Sequence, residues 1–173
     1  GSAVSGRVTV PFTFPGEVPM VIELDRLHFG EQAPGIGERP DPDPRQLPAI
    51  RVDIGDFIFD KRSFGHVEAE LARGMAGMTL NRFTMQHPGF SAEGRGSWLV
   101  RDQAAECRLE FDVETGDVKA LVSAMQLGAQ VEGEEGRISA RLSWPGPPEV
   151  SAISRLSGRL EISATNGNLT SVE

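Results

Sequence analysis

Gly89-Phe90-Ser91-Ala92-Glu93-Gly94-Arg95-Gly96-Ser97-Trp98-Leu99-Val100-Arg101, with Ala105-Glu106-Cys107-Arg108-Leu109-Glu110-Phe111-Asp112-Val113-Glu114 close behind it, decides the fold. In the first run Phe90, Ala92, Gly94, Gly96, Trp98 and Val100 fall on one side, opposite Ser91, Glu93, Arg95, Ser97 and Arg101. In the second, Ala105, Cys107, Leu109, Phe111 and Val113 oppose Glu106, Arg108, Glu110, Asp112 and Glu114. A period of two with one apolar side is the mark of a strand with one dry face. The short Asp102-Gln103 link predicts that the two runs pair antiparallel.

The same pattern recurs along the chain. Ile138, Ala140, Leu142 and Trp144 alternate with Arg137, Ser139, Arg141 and Ser143, and Leu156, Leu160, Ile162 and Ala164 follow suit. In Ala49 to Asp60 the apolar phase runs Ile50, Val52, Ile54 and then flips to Phe57 and Phe59 across Gly55-Asp56. Met78 and Leu80 flip to Phe83 and Met85 in the same way, and each change of phase implies a bulge or a strand that crosses between two apolar environments. Ser63 to Leu71, with Val67, Ala69 and Leu71 inward, supplies a partner after a Lys61-Arg62 turn, and Gly6 to Phe14 with Met20 to Phe29 form a further hairpin around Pro15-Gly16. One segment reads as helix. Val118, Leu121, Val122 and Met125 stand at i, i+3, i+4 and i+7 between Asp117 and Gly128, which predicts a short amphipathic helix over 117–127 lying on the sheet. Glu31 to Pro48 carries Pro34, Pro40, Pro42, Pro44 and Pro48 with little apolar content, and is expected to be an exposed, mobile, partly extended loop.

The fold class predicted is mainly β, with long bent antiparallel strands in an open curved sheet or groove. Gly1-Ser2 reads as a tag-cleavage scar. Residues 3–30 then give the first strands, 31–48 the proline-rich loop and 49–173 the antiparallel groove with its helix, the whole being one unit of a longer chain. The 173 residues suit one domain. With 17 Lys+Arg against 25 Asp+Glu the net charge is -8, and there is no basic block, so nucleic acid is not an expected partner. No run approaches the roughly 20 apolar residues of a membrane helix, and the N-terminus lacks an export signal. One cysteine excludes an internal disulfide and a cysteine-based zinc site. Cys107, between Ala105 and Leu109, is expected buried and unreactive.

Catalytic motifs are weak throughout. His28, His66 and His87 are not at metal-ligand spacing from one another, and each is read as a surface or turn residue, so no metal site and no cofactor are expected. There is no Gly-x-Ser-x-Gly elbow; Ser97 lies within a strand. Gly35-Ile36-Gly37 is followed by prolines rather than by a helix. Asp41-Pro42-Asp43-Pro44 lacks the 12-residue calcium-loop pattern, and both it and Glu132-Gly133-Glu134-Glu135 read as solvated turns. Asp56, Asp60, Glu68 and Glu70 offer carboxylates whose separation the sequence does not give, so a hydrolase using a facing acid pair has no support from it. Trp144-Pro145-Gly146-Pro147-Pro148 should end a strand.

From Leu47 onward, a series of motifs resembles one family. Leu47-Pro48-Ala49-Ile50-Arg51-Val52-Asp53-Ile54-Gly55-Asp56-Phe57 is similar to the opening of a repeat unit in the large AsmA-like proteins of the YhdP type. Phe90-Ser91-Ala92-Glu93-Gly94-Arg95-Gly96-Ser97-Trp98 is similar to a Gly-x-Gly-x-Trp strand of that family. Its closing pattern is resembled by the helix ending in Gly128, Glu132 to Ile138, Leu142-Ser143-Trp144-Pro145-Gly146-Pro147-Pro148 and Leu156 to Ile162. The likeness runs from Leu47 to Glu173 and is weaker over Val4 to Phe29.

The resemblance implies a soluble, non-enzymatic segment of a periplasmic protein whose parent is anchored in the inner membrane and carries phospholipid toward the outer membrane along a β-lined groove. No catalytic residue comes with it. Its implied partners are phospholipid acyl chains and neighbouring segments of the parent, with edge-to-edge self-association when the segment is isolated. The lipid-facing candidates are Phe90, Trp98, Leu109, Phe111, Leu142 and Leu160. A tail of roughly 16 carbons, at about 0.8 kcal/mol per methylene, faces more than about 10 kcal/mol in water, which a dry face would offset. The alternative is a structural or interaction domain, a β-sandwich whose dry face is filled by its own second sheet.

Overall fold

A computed structural model describes residues 5–10, 18–29, 42–59, 61–118, 121, 135–148 and 155–165. Each alternating run becomes a strand. These are β1 (Ser5–Thr9), β2 (Met20–Phe29), β3 (Ile50–Phe59), β4 (Arg62–Gly74), β5 (Gly77–His87), β6 (Phe90–Arg101), β7 (Ala104–Thr115), β8 (Glu135–Pro145) and β9 (Ser157–Thr165). All nine hydrogen-bond in sequence order into one open sheet. Among the described residues there is no second sheet, which overturns the sandwich alternative and leaves the open sheet.

Turn chemistry sets most of the registers. Asp102 and Gln103, at φ 50° and 67°, make a two-residue turn of the kind whose twist matches its strands, and it places Phe90 opposite Thr115 and Trp98 opposite Cys107. Lys61, at φ 65°, turns β3 into β4, so Ile54 faces Val67. The expected phase flips are bulges: register shifts between Ile54 and Phe57 in β3 and between Leu80 and Phe83 in β5. Each shift returns the following aromatic side chain to the dry face.

One pair departs from the antiparallel expectation. β2 and β3 are parallel, with Met20 opposite Ile50 and Leu24 opposite Ile54. A parallel neighbour needs a crossover, and the 20-residue stretch between Phe29 and Ile50 is long enough to supply one. The apolar phase of β2 changes between Leu24 and Leu27 in step with that of β3, since Leu27 stands opposite Phe57.

The end of the proline-rich stretch corrects the expectation of exposure. Pro44 and Pro48 are fully buried, and a 3-10 turn at Pro44–Gln46 packs on β4, β5 and β6. A proline ring has no N–H to satisfy, so it covers apolar surface without leaving a stranded donor. Asp43 caps this turn, accepting from the Arg45 backbone N–H (2.9 Å) and from its guanidinium (2.7 Å). The hydrogen bonds from Arg45 hold the Asp43 carboxyl below its ordinary range. The rest of the stretch, 31–41, lies outside the described residues.

Of the helix expected over 117–127, Asp117, Val118 and Leu121 are described; Val118 and Leu121 are both helical and both buried. The Leu121 N–H donates to the Asp117 carbonyl at 3.1 Å, one helical turn. Leu121 joins Ala92, Val113 and Ile138 in a buried cluster on which Phe83, Met85, Phe90 and Phe111 pack. The remainder of the helix, Val122 and Met125 included, lies outside the described residues.

Candidate functional site

Pairing turns the alternation of each strand into rows that cross the sheet. One row runs Val8, Ile22, Val52, Ala69, Phe83, Gly94, Phe111, Ala140, Leu160, with one residue from every strand. The next runs Gly6, Leu24, Ile54, Val67, Met85, Ala92, Val113, Ile138, Ile162. No charged side chain interrupts either row. The six sequence-predicted residues all belong to this face, but they differ in access. Trp98 is 9% exposed and Leu160 is 50% exposed, while Phe90, Leu109, Phe111 and Leu142 are half-buried.

The differences follow from what lies over each row. At one end Met78 and Trp98, register partners on β5 and β6, are buried, and the 3-10 turn packs on both of these strands. The Trp98 indole N–H is buried and has no hydrogen-bond partner among the described residues. Cys107, next across, is closed in by the strand end at Trp144 to Pro148: its Sγ lies 3.3 Å from the Gly146 carbonyl, and Trp144 Nε1 donates to the Pro147 carbonyl at 3.0 Å. Burial pushes the Cys107 thiol up to about 12, so it is unreactive, as its place between Ala105 and Leu109 predicts. At the other end Leu121 packs with Ala92, Val113 and Ile138, and Val118 lies against Gly136 of β8. Between these two covers lies a middle band, Leu80, Leu109, Phe111 and Leu142, that is only half-buried.

The Gly-x-Gly of β6 has a role in that band. A Cβ on Gly94 would lie 3.5 Å from the Phe83 ring and 3.3 Å from Phe111 Cβ. Without it, the two flanking side chains can lean over β6 and close the row. An aromatic group, Phe57, Phe59, Phe64 and Phe90, continues the face at its edge, with centroid separations from Phe64 of 6.2, 6.5 and 6.2 Å.

The opposite face is charged. Arg95 clamps Glu110 through Nε (2.8 Å) and Nη2 (2.6 Å), Arg51 meets Glu70 (3.5 Å), Arg159 meets Glu161 (2.6 Å) and Arg137 meets Glu114. These pairs are largely solvent-exposed, so each is worth at most about 1 kcal/mol; they mark the register more than they stabilise the sheet. Two depressions, ≈ 650 and ≈ 900 Å³, lie on this charged side, the first walled by Arg82, Glu93, Arg95, Glu110, Asp112, Arg141 and Arg159.

His28 and His87 are near strand ends as predicted, and His87 Nδ1 accepts from the Gly89 N–H at 3.1 Å. His66 is not in a turn. It lies inside β4, with Nε2 2.9 Å from Asp53 Oδ1, and Asp53, His66 and Glu68 bring one donor atom each within 4.8 Å of one another. Of the carboxylates singled out, Asp56 is held by Ser63 (2.5 Å) and Arg26 (3.3 Å), Glu70 by Arg51, and Asp60 lies outside the described residues. The sequence reading missed Asp53 as a partner of His66. The available signal was the Lys61 turn, which fixes Asp53 opposite Glu68.

The model of the YhdP protein family matches residues 1–173. No curated protein and no solved structure gives a significant match. With every residue covered by the family model, and the described parts of its motifs lying in or beside the strands of one open sheet, this chain belongs to the YhdP family.

Proposed function

We propose that the apolar face shields phospholipid acyl chains during their passage through the periplasm between the inner and outer membranes, as one segment of a longer inner-membrane-anchored protein. The observation that carries this reading is the pair of apolar rows crossing all nine strands with no opposing sheet among the described residues. Leu160 and Ile162 on β9 are 50% and 45% exposed, far more than core residues of a closed domain. Eight strand spacings of about 4.8 Å give a face about 38 Å across, over which a chain can lie without a specific ligand. Membership of the YhdP family supports the same reading. No residue in it has a catalytic role, and the neighbouring segments of the parent are its other partners.

The test is site-specific photo-crosslinking. Probes at Leu109 and Leu160 capture lipid, while probes at Arg108 and Glu110, on the charged face, do not. A probe at Trp98, which is 9% exposed, labels less than one at the half-buried Leu109. Equal labelling on the two faces overturns the proposal. A second reading, a protein-interaction module, draws on the chain's own covering of both ends of the face by Pro44, Pro48, Val118 and Leu121. It predicts protein adducts and no lipid from the same probes.

A further inference from the structure

We propose that Asp53, His66 and Glu68 form a divalent-metal site on the charged face, with zinc the ion that suits its donors. The three side chains come from a rigid strand pair: Asp53 and Glu68 are register partners on β3 and β4, and His66 precedes Glu68 by two residues, on the same side. Their donor atoms already lie within 4.8 Å of one another, and His66 Nε2 is 2.9 Å from Asp53 Oδ1. Donors bound to zinc at ~2.1 Å stand roughly 3.5 Å apart, so an adjustment of about 1 Å, within rotamer reach of Glu68, closes the set.

Charge supports an ion there. Glu23 stands opposite Asp53, and Asp53 opposite Glu68, so three carboxylates occupy three adjacent strands in direct register. Like charges placed so are unfavourable, and a dication relieves them. One imidazole with two carboxylates is a borderline-soft, dianionic set, which suits zinc better than calcium or magnesium. The groups facing the site from β5 are few. Thr84 Oγ1 donates to Glu68 (3.3 Å), Arg82 lies 3.9 Å from it, and Gln86 pairs with His66 in register. His66 and Asp53 are 39% and 55% exposed, so the site is open to solvent and leaves a fourth position for water.

The experiment is a zinc titration of the 173-residue protein, followed by NMR of the His66 imidazole. A saturable 1:1 shift at His66 is expected. His66→Ala and Asp53→Asn each weaken binding at least tenfold, while Glu70→Gln, two residues along on the same face and held by Arg51, leaves it unchanged. Circular dichroism of each variant confirms the sheet. The proposal is overturned if His66 shows no saturable shift up to about 1 mM zinc, or if His66→Ala binds zinc as well as the parent protein does. It stands or falls independently of the lipid reading.

Discussion

Gly136 on β8 lies against the start of the helix, and adding one methyl group there should loosen the cover at that end of the apolar face. A Cβ built on Gly136 would lie 2.3 Å from Val118 Cγ2, far inside van der Waals contact, and 3.3 Å from the Ser163 carbonyl oxygen. Val118 is 1% exposed, so its side chain has little room to retreat. Overpacking at such a site costs about 1–3 kcal/mol, which for a chain of this size lowers Tm by about 2–12 °C. Val118→Ala alone removes two methyl groups, worth about 1.6 kcal/mol before any cavity term. In the double variant the clashing methyl group is gone, so Gly136→Ala should then cost at least about 1 kcal/mol less than it does beside Val118. Urea midpoints of the four proteins close the cycle. Additivity within about 0.5 kcal/mol would refute the claim that the two residues meet.

Other outcomes follow from particular residues. Gly65 sits at φ 80°, where a Cβ would lie 2.1 Å from the Gln86 carbonyl oxygen, so Gly65→Ala should cost at least about 2 kcal/mol in a denaturation experiment. Gly116→Ala, with no described atom within 4 Å of the added methyl group, should stay within about 0.5 kcal/mol. Trp144→Phe gives up the 3.0 Å bond to the Pro147 carbonyl and should cost about 1 kcal/mol more than Trp98→Phe, which removes a buried N–H with no partner among the described residues; urea midpoints that rank the other way would count against this. The Cys107 thiol, ordinarily near 9.0 and pushed to about 12 in the fold, stays protonated while the unfolded chain ionises. Its contribution to stability is therefore full below about pH 9 and is lost as pH rises toward 12; Cys107→Ala should flatten that decline in urea midpoints measured against pH.

Much of this architecture is readable along the chain because a period of two is local. The phase changes at Gly55-Asp56 and between Leu80 and Phe83 announce the bulges, and Asp102-Gln103 announces its turn. The six apolar candidates share a face because Phe90, Trp98, Leu109, Phe111, Leu142 and Leu160 keep one phase across paired strands. The parallel pairing of β2 with β3 was not legible, since it depends on the path of the chain between them and not on the alternation of either strand. Nor was the burial of Pro44 and Pro48: composition ranks proline with loops, whereas only the position of the turn over β4, β5 and β6 makes its ring a cover. The meeting of Asp53, His66 and Glu68 needs side-chain positions across a hairpin, which a single strand's pattern does not contain.

The strictly consecutive order of the nine strands has a consequence for how such a protein is made and enlarged. Each new ribbon needs only the one synthesised just before it as a template, so assembly can advance like a zipper while later residues are still emerging. By the same logic, duplication of a hairpin at either flank lengthens the surface without disturbing pairings already made, as stacking does in solenoid architectures.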